Sequence, residues 1–427
     1  MKRLHRTCLQ AVAAAVLVGC AASPPVAARE AALAELCARP ELAGGRIGVC
    51  VVDAGSGREL LASHADRGFA TASNMKLVGA AVALATLGAD HRFPTELWHR
   101  GVVENGVMTG ELILRGRGDP SFGLVRDGRD AVGELVEALR RCGVTRFVGR
   151  IVGDDRWLGD EHLGLGWQWD YLDEDYAAPF GALCCAGNVV TITVRPGGGD
   201  QPVVACTPDV DTPLRVDVRQ VAATADAVTQ LTAHRALGSD VVTVNGTVRA
   251  DAKPWTVQVP VREPAVFAAR VLRSAMVAAG IAVDERPDVE LVGDERLVAR
   301  MQSAPLAELL RHLLLHSDNL WAEQVVRVAA RLAAGDAGTA AMAKHVATVL
   351  AAFGIDTRGM VVADGSGLSR RNLVQPRQLV GVLAAMWRSP MRAGPIARSW
   401  VARCRTTYSR NTSRAGPTSI LRIRRYD

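Results

Sequence analysis

Residues 72–84 have the sequence ASNMKLVGAAVAL. The run after Ser73 is almost wholly apolar and rich in good helix formers, which predicts a helix that is buried on most sides. Ser73 lies at its start and Lys76 three residues later, so both side chains share one face of the first turn. Free N–H groups at a helix start stabilise an oxyanion, and a desolvated lysine has a lowered pKa. The pair therefore predicts a nucleophile and its base. An N-capping serine followed by a surface lysine is the structural alternative.

The N-terminus predicts export. Three basic residues within the first six precede an apolar stretch at 9–19, which is too short to span a bilayer but typical of a signal peptide. The stretch ends in a segment, residues 17–20, that resembles the bacterial lipobox, in which Cys20 would be lipidated and become the mature N-terminus. Ordinary cleavage after residue 27 or 28 is the alternative.

Charge and composition narrow the class of protein. The chain has 427 residues, 49% of them hydrophobic, which is enough for two or three domains with apolar cores. Its formal net charge is +6, but residues 395–427 hold eight arginines and one acidic residue, so residues 1–394 have a net charge of −1. A basic balance confined to one tail argues against nucleic-acid binding by the fold.

The nine cysteines allow several interpretations. An exported protein can form disulfides, and Cys37 with Cys50, or Cys206 with Cys184 or Cys185, are possible pairs that the sequence cannot decide. The sequence contains no Cys-x-x-Cys pair, and we expect neither a metal nor a cofactor.

Hydrophobic patterns divide the rest of the chain. Strands are expected at 46–53, at 112–120, where the strand ends in a Gly/Pro loop, and at 147–155, where it has an acidic end. Helices are expected at 131–141 and 264–279. From residue 188 the pattern becomes β-rich, with a hairpin expected around Asn245-Gly246, and we expect Trp167 and Trp169 to be packing residues. A leucine-rich helix at 306–315 breaks before residue 320. There Ser317 is either a helix N-cap or one half of a Ser-x-Asn pair that faces a cleft.

The motifs together resemble one family. Ser-x-x-Lys followed by Ser-Asp-Asn is the signature of penicillin-binding proteins and class A β-lactamases. Ser73 and Ser317 are 244 residues apart, a far larger gap than in the compact β-lactamases. With the segments at 115–120, 166–169 and 364–374, residues 45–394 resemble the penicillin-binding D-alanyl-D-alanine carboxypeptidase/endopeptidase family, of the low-molecular-mass class C, three-domain type.

The resemblance implies an α/β (α+β) fold. A penicillin-binding transpeptidase-like domain, an antiparallel sheet with helices on both faces, would be interrupted by two inserted domains, one α/β and one β-rich. The expected boundaries are 1–28 for a signal peptide or lipobox with a linker, 29–98 and 300–394 for the serine peptidase domain, 99–187 and 256–299 for the α/β insertion, 188–255 for the β-rich insertion, and 395–427 for an off-pattern basic tail.

The resemblance also implies residue roles. Ser73 would attack the carbonyl of the D-Ala-D-Ala or cross-link peptide bond, and Lys76 would be the general base. Ser317 would relay a proton to the leaving amine, and Asn319 would hydrogen-bond the substrate backbone and Lys76. Asp154, or its neighbour Asp155, and Arg370 resemble positions that contact the diamino-acid side chain of the substrate.

Partners and location follow from the same resemblance. The substrates would be peptidoglycan stem peptides and cross-links, with β-lactams as inhibitors and no cofactor. The location would be the periplasm, with contact to the outer membrane only through a lipid on Cys20.

One departure limits the expected activity. The family's third motif, Lys-Thr-Gly, is absent from the sequence, whose last lysine is Lys344. After Gly394 the sequence leaves the family pattern, and we hypothesise a change of reading frame there. The alternative function is therefore a catalytically dead protein that binds peptidoglycan, or a truncated gene product.

Overall fold

The computed structural model describes residues 25–388, except 43, 54, 126–127, 198–201, 211–213 and 225–227. Cys20 and the tail at 395–427 lie outside the described residues. The chain forms two compact units, Met1–Arg67 and Gly68–Asp427. The first unit contains helix α1 (Val26–Cys37) and an antiparallel pair of strands, β1 (Val49–Val52) and β2 (Glu59–Ser63).

The second unit carries the other elements of the described chain. Its α-helices are α2 (Met75–Leu87), α3 (Ala131–Arg141), α4 (Pro264–Ala278), α5 (Leu306–His316), α6 (Asn319–Ala334), α7 (Thr339–Ala352) and α8 (Pro376–Arg388). The helices expected at 131–141 and from residue 264 are confirmed. The expected break before residue 320 is also confirmed, since α5 ends at His316 and α6 begins at Asn319.

A five-stranded mixed sheet includes much of the region expected to be the α/β insertion and extends beyond its expected bounds, from residue 94 to residue 302. Its strands, in spatial order, are β12 (Ala282–Glu285), β5 (Arg146–Asp154), β4 (Val107–Gly116), β3 (Pro94–Glu104) and β13 (Arg296–Gln302). β12 and β4 both pair with β5 in parallel, whereas β3 pairs with β4 and β13 in antiparallel fashion. Parallel pairing requires a crossover, and α3 makes the connection from β4 to β5.

Two three-stranded sheets form the β-rich region. They are β11-β6-β7, from Trp255–Pro260, Val189–Arg195 and Val203–Thr207, and β8-β10-β9, from Arg215–Thr224, Val241–Arg249 and Gln230–Arg235. Burial alternates along β6, as its sequence predicts.

The hairpin expected at Asn245-Gly246 is wrong. β10 runs straight through both residues and pairs with β8 and β9, with a register shift on the β8 side between Val244 and Gly246. A Cβ atom on Gly246 would lie 1.9 Å from the carbonyl oxygen of Gln230. The glycine therefore permits close approach of a neighbouring strand rather than a turn.

The second unit has two hydrophobic clusters. One surrounds the mixed sheet, with Leu97, Phe147 and Phe267 among its members. The other joins α2 to α5, α6, α7 and α8, and includes Met75, Trp321 and Val326. From residue 75 to residue 84, every residue of α2 except Leu77 is buried, as its apolar sequence predicts. The site described below lies at the start of this buried helix.

The cysteines that the sequence allows to pair are not joined in the structure. Cys37 and Cys206 are free thiols, as are the buried Cys184 and Cys185, so neither of the suggested disulfides is formed. Burial raises the pKa of the Cys184 thiol to about 12. Among the described residues, none of the helices has the length and apolarity that crossing a membrane requires.

Candidate active site

Ser73 lies in a single 3-10 turn, Ala72–Asn74, which leads directly into α2. Ala72 adopts a positive φ of 45°, a conformation that is uncommon for alanine and often found at functional sites. The Ser73 side chain is exposed, whereas Met75 and Lys76 are buried. The predicted helix start is thus correct to within two residues, and the serine lies at the surface of a buried element.

The Lys76 side chain is almost fully buried, with 2% exposure. Its Nζ donates hydrogen bonds to Ser73 Oγ at 3.1 Å, to Asn319 Oδ1 at 2.5 Å and to the carbonyl oxygen of Ser366 at 2.8 Å. Burial lowers the pKa of Lys76 to about 8, partly offset by three nearby carboxyl groups, those of Asp318, Asp364 and Glu323. Desolvation thus makes the neutral, proton-accepting amine accessible near neutral pH.

The loop between α5 and α6 brings Asn319 to Lys76. Ser317 ends α5 in the left-handed conformation with φ 58°, and Asp318 caps α6 by accepting a hydrogen bond from Trp321 N at 3.1 Å. Asn319 bridges the pocket, because its Oδ1 faces Lys76 while its Nδ2 donates to the Tyr176 carbonyl at 2.7 Å. The N-cap role that the sequence allowed for Ser317 therefore belongs to Asp318.

A glycine-rich turn at residues 364–369 closes the pocket from another side. Asp364 accepts hydrogen bonds from Gly367 N at 2.8 Å, Ser369 N at 2.6 Å and the Trp167 indole at 2.9 Å. A Cβ atom on Gly367, whose φ is +83°, would lie 1.8 Å from the Ala72 carbonyl oxygen. The turn therefore packs directly against the residue that precedes Ser73.

The structure does not bring Asp154 and Arg370 together. Asp154, at the end of β5, accepts hydrogen bonds from Arg156 Nε at 2.9 Å and Arg115 Nε at 3.0 Å. Hydrogen bonding from Arg156, together with Arg115 and against the effect of burial, lowers the pKa of Asp154 to about 2. Burial raises the pKa of Asp155, and Arg370 is exposed. Among the described residues, no hydrogen bond or ion pair joins Asp154 to Arg370.

Two histidines lie next to each other on α5. His312 and His316 are four residues apart on α5, and their rings lie 4.4 Å apart. Among the residues that the structure describes, however, no group of three or more His, Cys, Asp or Glu side chains could hold a metal ion.

Several residues of the site were not found from the sequence. Trp167 packs against the hydrophobic cluster of α2, as expected, and its indole also donates a hydrogen bond to Asp364 at 2.9 Å. Trp169 was expected to pack as well, and this is wrong because its side chain is 74% exposed. The sequence motifs do not include Glu323, although it is an acidic residue within an apolar helix. That position, four residues after Asn319, was the available signal.

An exposed serine beside a buried lysine, with a Ser-x-Asn loop at the same pocket, is the arrangement of penicillin-binding serine peptidases. The sequence comparison defines the family more closely. The model of the D-Ala-D-Ala carboxypeptidase 3 (S13) family matches residues 29–398, and the chain belongs to that family.

Individual relatives agree with this assignment. The chain is 33% identical to the D-alanyl-D-alanine carboxypeptidase of Actinomadura sp. (strain R39) over 375 residues, covering 85% of this chain and 68% of the relative. It is 27% identical to the D-alanyl-D-alanine carboxypeptidase DacB of Haemophilus influenzae over 325 residues, covering 73% of this chain and 65% of the relative. The chain therefore spans about two thirds of the length of these two relatives.

Solved structures confirm the mixed α/β fold. The crystal structure of penicillin binding protein 4 (dacB) from Haemophilus influenzae superposes with a TM-score of 0.67 at 24% identity, covering 79% of this chain and 74% of that one. The same protein in complex with a β-lactam superposes with a TM-score of 0.60 at 22% identity, again covering 79% of this chain and 74% of that one. At these identities the likeness is one of fold.

Proposed function

We propose that the chain is a serine-type D-Ala-D-Ala carboxypeptidase and endopeptidase that acts on peptidoglycan peptides through an acyl-enzyme on Ser73. One observation carries the proposal: the buried Lys76 amine lies 3.1 Å from the oxygen of the exposed Ser73. Membership of a D-Ala-D-Ala carboxypeptidase family supplies the substrate class, and β-lactams are the expected inhibitors. No cofactor takes part in this chemistry.

The proposed reaction has two halves. Neutral Lys76 takes the proton from Ser73 Oγ, which attacks the carbonyl carbon and forms an acyl ester while the peptide C–N bond breaks. Ser317 passes a proton to the leaving amine, and Asn319 holds Lys76 and the substrate backbone. The backbone N–H of Ser73 contributes one donor to the oxyanion hole. Water then hydrolyses the ester and Ser73 regains its proton.

Covalent labelling with a fluorescent penicillin tests the proposal. Ser73→Ala should abolish labelling without loss of the fold, because the substitution removes one exposed oxygen at a helix start. Ser239→Ala, directly after the turn at 237–238 in the β-rich region, removes a hydroxyl that accepts a hydrogen bond from Val241 N at 3.0 Å. It is the control and should label normally. Labelling of the Ser73→Ala protein would refute the acyl-enzyme assignment.

The second candidate is a catalytically dead protein that binds peptidoglycan, since Lys-Thr-Gly does not occur within residues 1–427. Losing one oxyanion donor costs about 10²–10³ in rate, and the family's third motif also binds the substrate carboxylate. We expect this chain to release D-alanine at least ~10³-fold more slowly than a version with a C-terminal Lys-Thr-Gly strand. Equal rates would mean that another segment replaces the motif.

We also propose that Asp154 and Arg370 contact the diamino-acid side chain of the substrate. The partners of Asp154 matter for this role, since Arg156 and Arg115 already bind its carboxylate. A substrate ammonium group would have to compete with Arg156, whose side chain is 81% exposed.

The proposed location is the periplasm, with anchoring in the outer membrane through a lipid on Cys20. The lipobox-like sequence at 17–20 supports it. Cys20→Ala should release the protein into the soluble periplasmic fraction, as measured by fractionation and mass spectrometry of the mature N-terminus. A mature chain that begins at Arg29 would instead establish ordinary signal-peptide cleavage.

A further inference from the structure

A buried carboxylate lies behind the Lys76 pocket without touching Lys76. Glu323, on α6, has no exposed surface. It accepts hydrogen bonds from Gly365 N at 3.0 and 3.1 Å, through its two oxygens, and from Ser366 N at 2.8 Å. The Ser366 carbonyl, in turn, accepts the hydrogen bond from Lys76 Nζ at 2.8 Å. One residue of the turn thus joins the glutamate to the lysine.

We propose that Glu323 is a positioning residue for Lys76, which fixes the Gly365–Ser366 backbone so that the Ser366 carbonyl directs the lysine amine towards Ser73. The inference rests on the proposed function of Ser73 and Lys76 and adds a residue to it. Glu323 acts through the turn and touches neither the substrate nor the reacting atoms.

The placement of Glu323 on its helix supports this role. Asn319 and Glu323 are four residues apart on α6 and therefore share one face of the helix. The first contacts Lys76 directly, and the second contacts it through the turn. A Cβ atom on Gly365 would lie 2.5 Å from Val326 Cγ1 and 3.0 Å from the Ala322 carbonyl. Because residue 365 is a glycine, the turn lies directly on α6. The Glu323 side chain therefore spans only a short distance to the N–H groups of Gly365 and Ser366.

The charge of Glu323 is balanced away from the pocket. Arg327, one turn further along α6, lies 3.5 Å from Glu323 Oε2 and is itself 1% exposed. Its guanidinium also pairs with Glu161 at 3.0 Å. Burial raises the pKa of the Glu323 carboxyl, but donors lie at both of its oxygens, and the ionised form is the one that accepts from all of them.

A charged Glu323 also acts on the protonation of Lys76. Three carboxyl groups act on the amine through their charge: Asp318 from the loop before α6, Asp364 from the turn, and Glu323 from α6. Each favours the ammonium form, against burial, which disfavours it. Removing the charge of Glu323, or releasing the Ser366 carbonyl, should therefore lower the pKa of Lys76 further.

The test follows Lys76 directly. The chain has four lysines, Lys2, Lys76, Lys253 and Lys344, so ¹³Cε-lysine labelling gives few NMR signals and Lys76→Ala assigns the relevant one. In Glu323→Gln the titration midpoint of Lys76 should fall by about half a pH unit or more. Glu161→Gln is the matched control, because it removes a glutamate from the same arginine without touching the turn, and it should leave the midpoint unchanged. An unchanged midpoint in Glu323→Gln would overturn the proposal.

Acylation by a fluorescent penicillin is the second readout. Glu323→Gln should lower the high-pH plateau of the acylation rate at least ~10-fold and move the acid limb to lower pH. A purely structural loss would lower the plateau without moving the limb. If the wild-type chain is not acylated at all, the proposed function fails, while the NMR titration still decides the role of Glu323.

Glu323→Asp keeps the test decisive if Glu323→Gln does not fold. The aspartate retains the charge but is one methylene shorter, so the midpoint should stay near that of the wild type while the plateau falls. An unchanged plateau would overturn the positioning role. Loss of folding in both variants would overturn it as well, because Glu323 would then stabilise the fold as a whole.

Discussion

Two regions of the second unit differ in the partners of their charged side chain. The Lys76 amine has neutral hydrogen-bond partners, whereas the Asp154 carboxylate is bound by arginines. In the Lys76 pocket, formed by Ser73, Lys76, Asn319 and Ser366, the amine is bound by neutral oxygens and burial lowers its pKa to about 8. At the Asp154 corner, formed by Arg115, Asp154, Arg156 and Glu295, two arginines bind the carboxylate and its pKa falls to about 2.

The difference shows what makes a charged side chain reactive. Because its hydrogen-bond partners are neutral and it is desolvated, Lys76 has a pKa near neutral pH and can exchange a proton there. Opposite charges keep Asp154 in its ionised form, in which the carboxylate accepts hydrogen bonds but has no proton to donate. A residue type in a family motif is therefore not sufficient evidence of a role.

The largest effect is expected at Lys76. Lys76→Ala should slow acylation by penicillin by about 10²–10⁴-fold, the usual contribution of a positioned base. In the wild type, acylation should rise with pH through about 8, because below that pH the ammonium form has no lone pair to accept the serine proton. Stopped-flow acylation between pH 6 and 10 measures both.

Lys344→Ala is the control for the lysine substitution, since Lys344 is exposed on α7. It should keep the wild-type rate and pH profile. If the acylation rate of Lys76→Ala still falls at low pH, another group is the base. The lowered pKa of Lys76 would then not explain the reactivity of this pocket.

The next effect concerns the turn that closes the Lys76 pocket. Gly367→Ala should lower acylation at least ~10-fold and cost about 1–3 kcal/mol of stability, since φ is +83°. The added Cβ would lie 1.8 Å from the Ala72 carbonyl, so the turn must move away from the residue that precedes Ser73. Acylation rates and thermal unfolding measure the two losses.

Gly354→Ala separates backbone strain from close approach. Gly354 has a similar φ of +75°, but a Cβ atom there would meet nothing within 4 Å. This variant should lose stability and keep its acylation rate. If both variants lose activity equally, the contact between the turn and Ala72 does not shape the pocket.

The sequence predicts the Lys76 pocket far better than the Asp154 corner. Ser73, in the 3-10 turn, and Lys76, in the first turn of α2, are three residues apart, so local periodicity alone places them together. Asn319 required a motif, because 243 residues separate it from Lys76. No local pattern indicates that Arg115 and Glu295 meet across the mixed sheet. That contact exists because β3 pairs with both β4 and β13. Pairing between strands also explains why Asn245-Gly246 is not a hairpin turn, since β10 continues through both residues and pairs with β9.

The smallest effect is expected at Arg156, and it sharpens the contrast. Arg156 lies two residues after Asp154 and covers its carboxylate from the solvent side, while Arg115 binds it from within the sheet. An exposed ion pair contributes about 0.2–1 kcal/mol. Arg156→Ser should therefore leave the fold intact and leave Asp154 ionised at neutral pH. If Asp154 binds the substrate, the freed carboxylate should improve kcat/KM by about 1.5- to 5-fold, the same free energy expressed as a rate ratio.

The gain at Arg156 should depend on the substrate. It should appear with a D-Ala-D-Ala peptide whose diamino-acid side chain carries a free ammonium group, and vanish when that group is acetylated. Arg358→Ser is the matched control, because Arg358 binds Asp356 with the same two-residue spacing on an exposed turn. It should change neither rate. Equal gains with both peptides would place Asp154 outside the substrate site, because a contact with the ammonium group is the one interaction that acetylation removes.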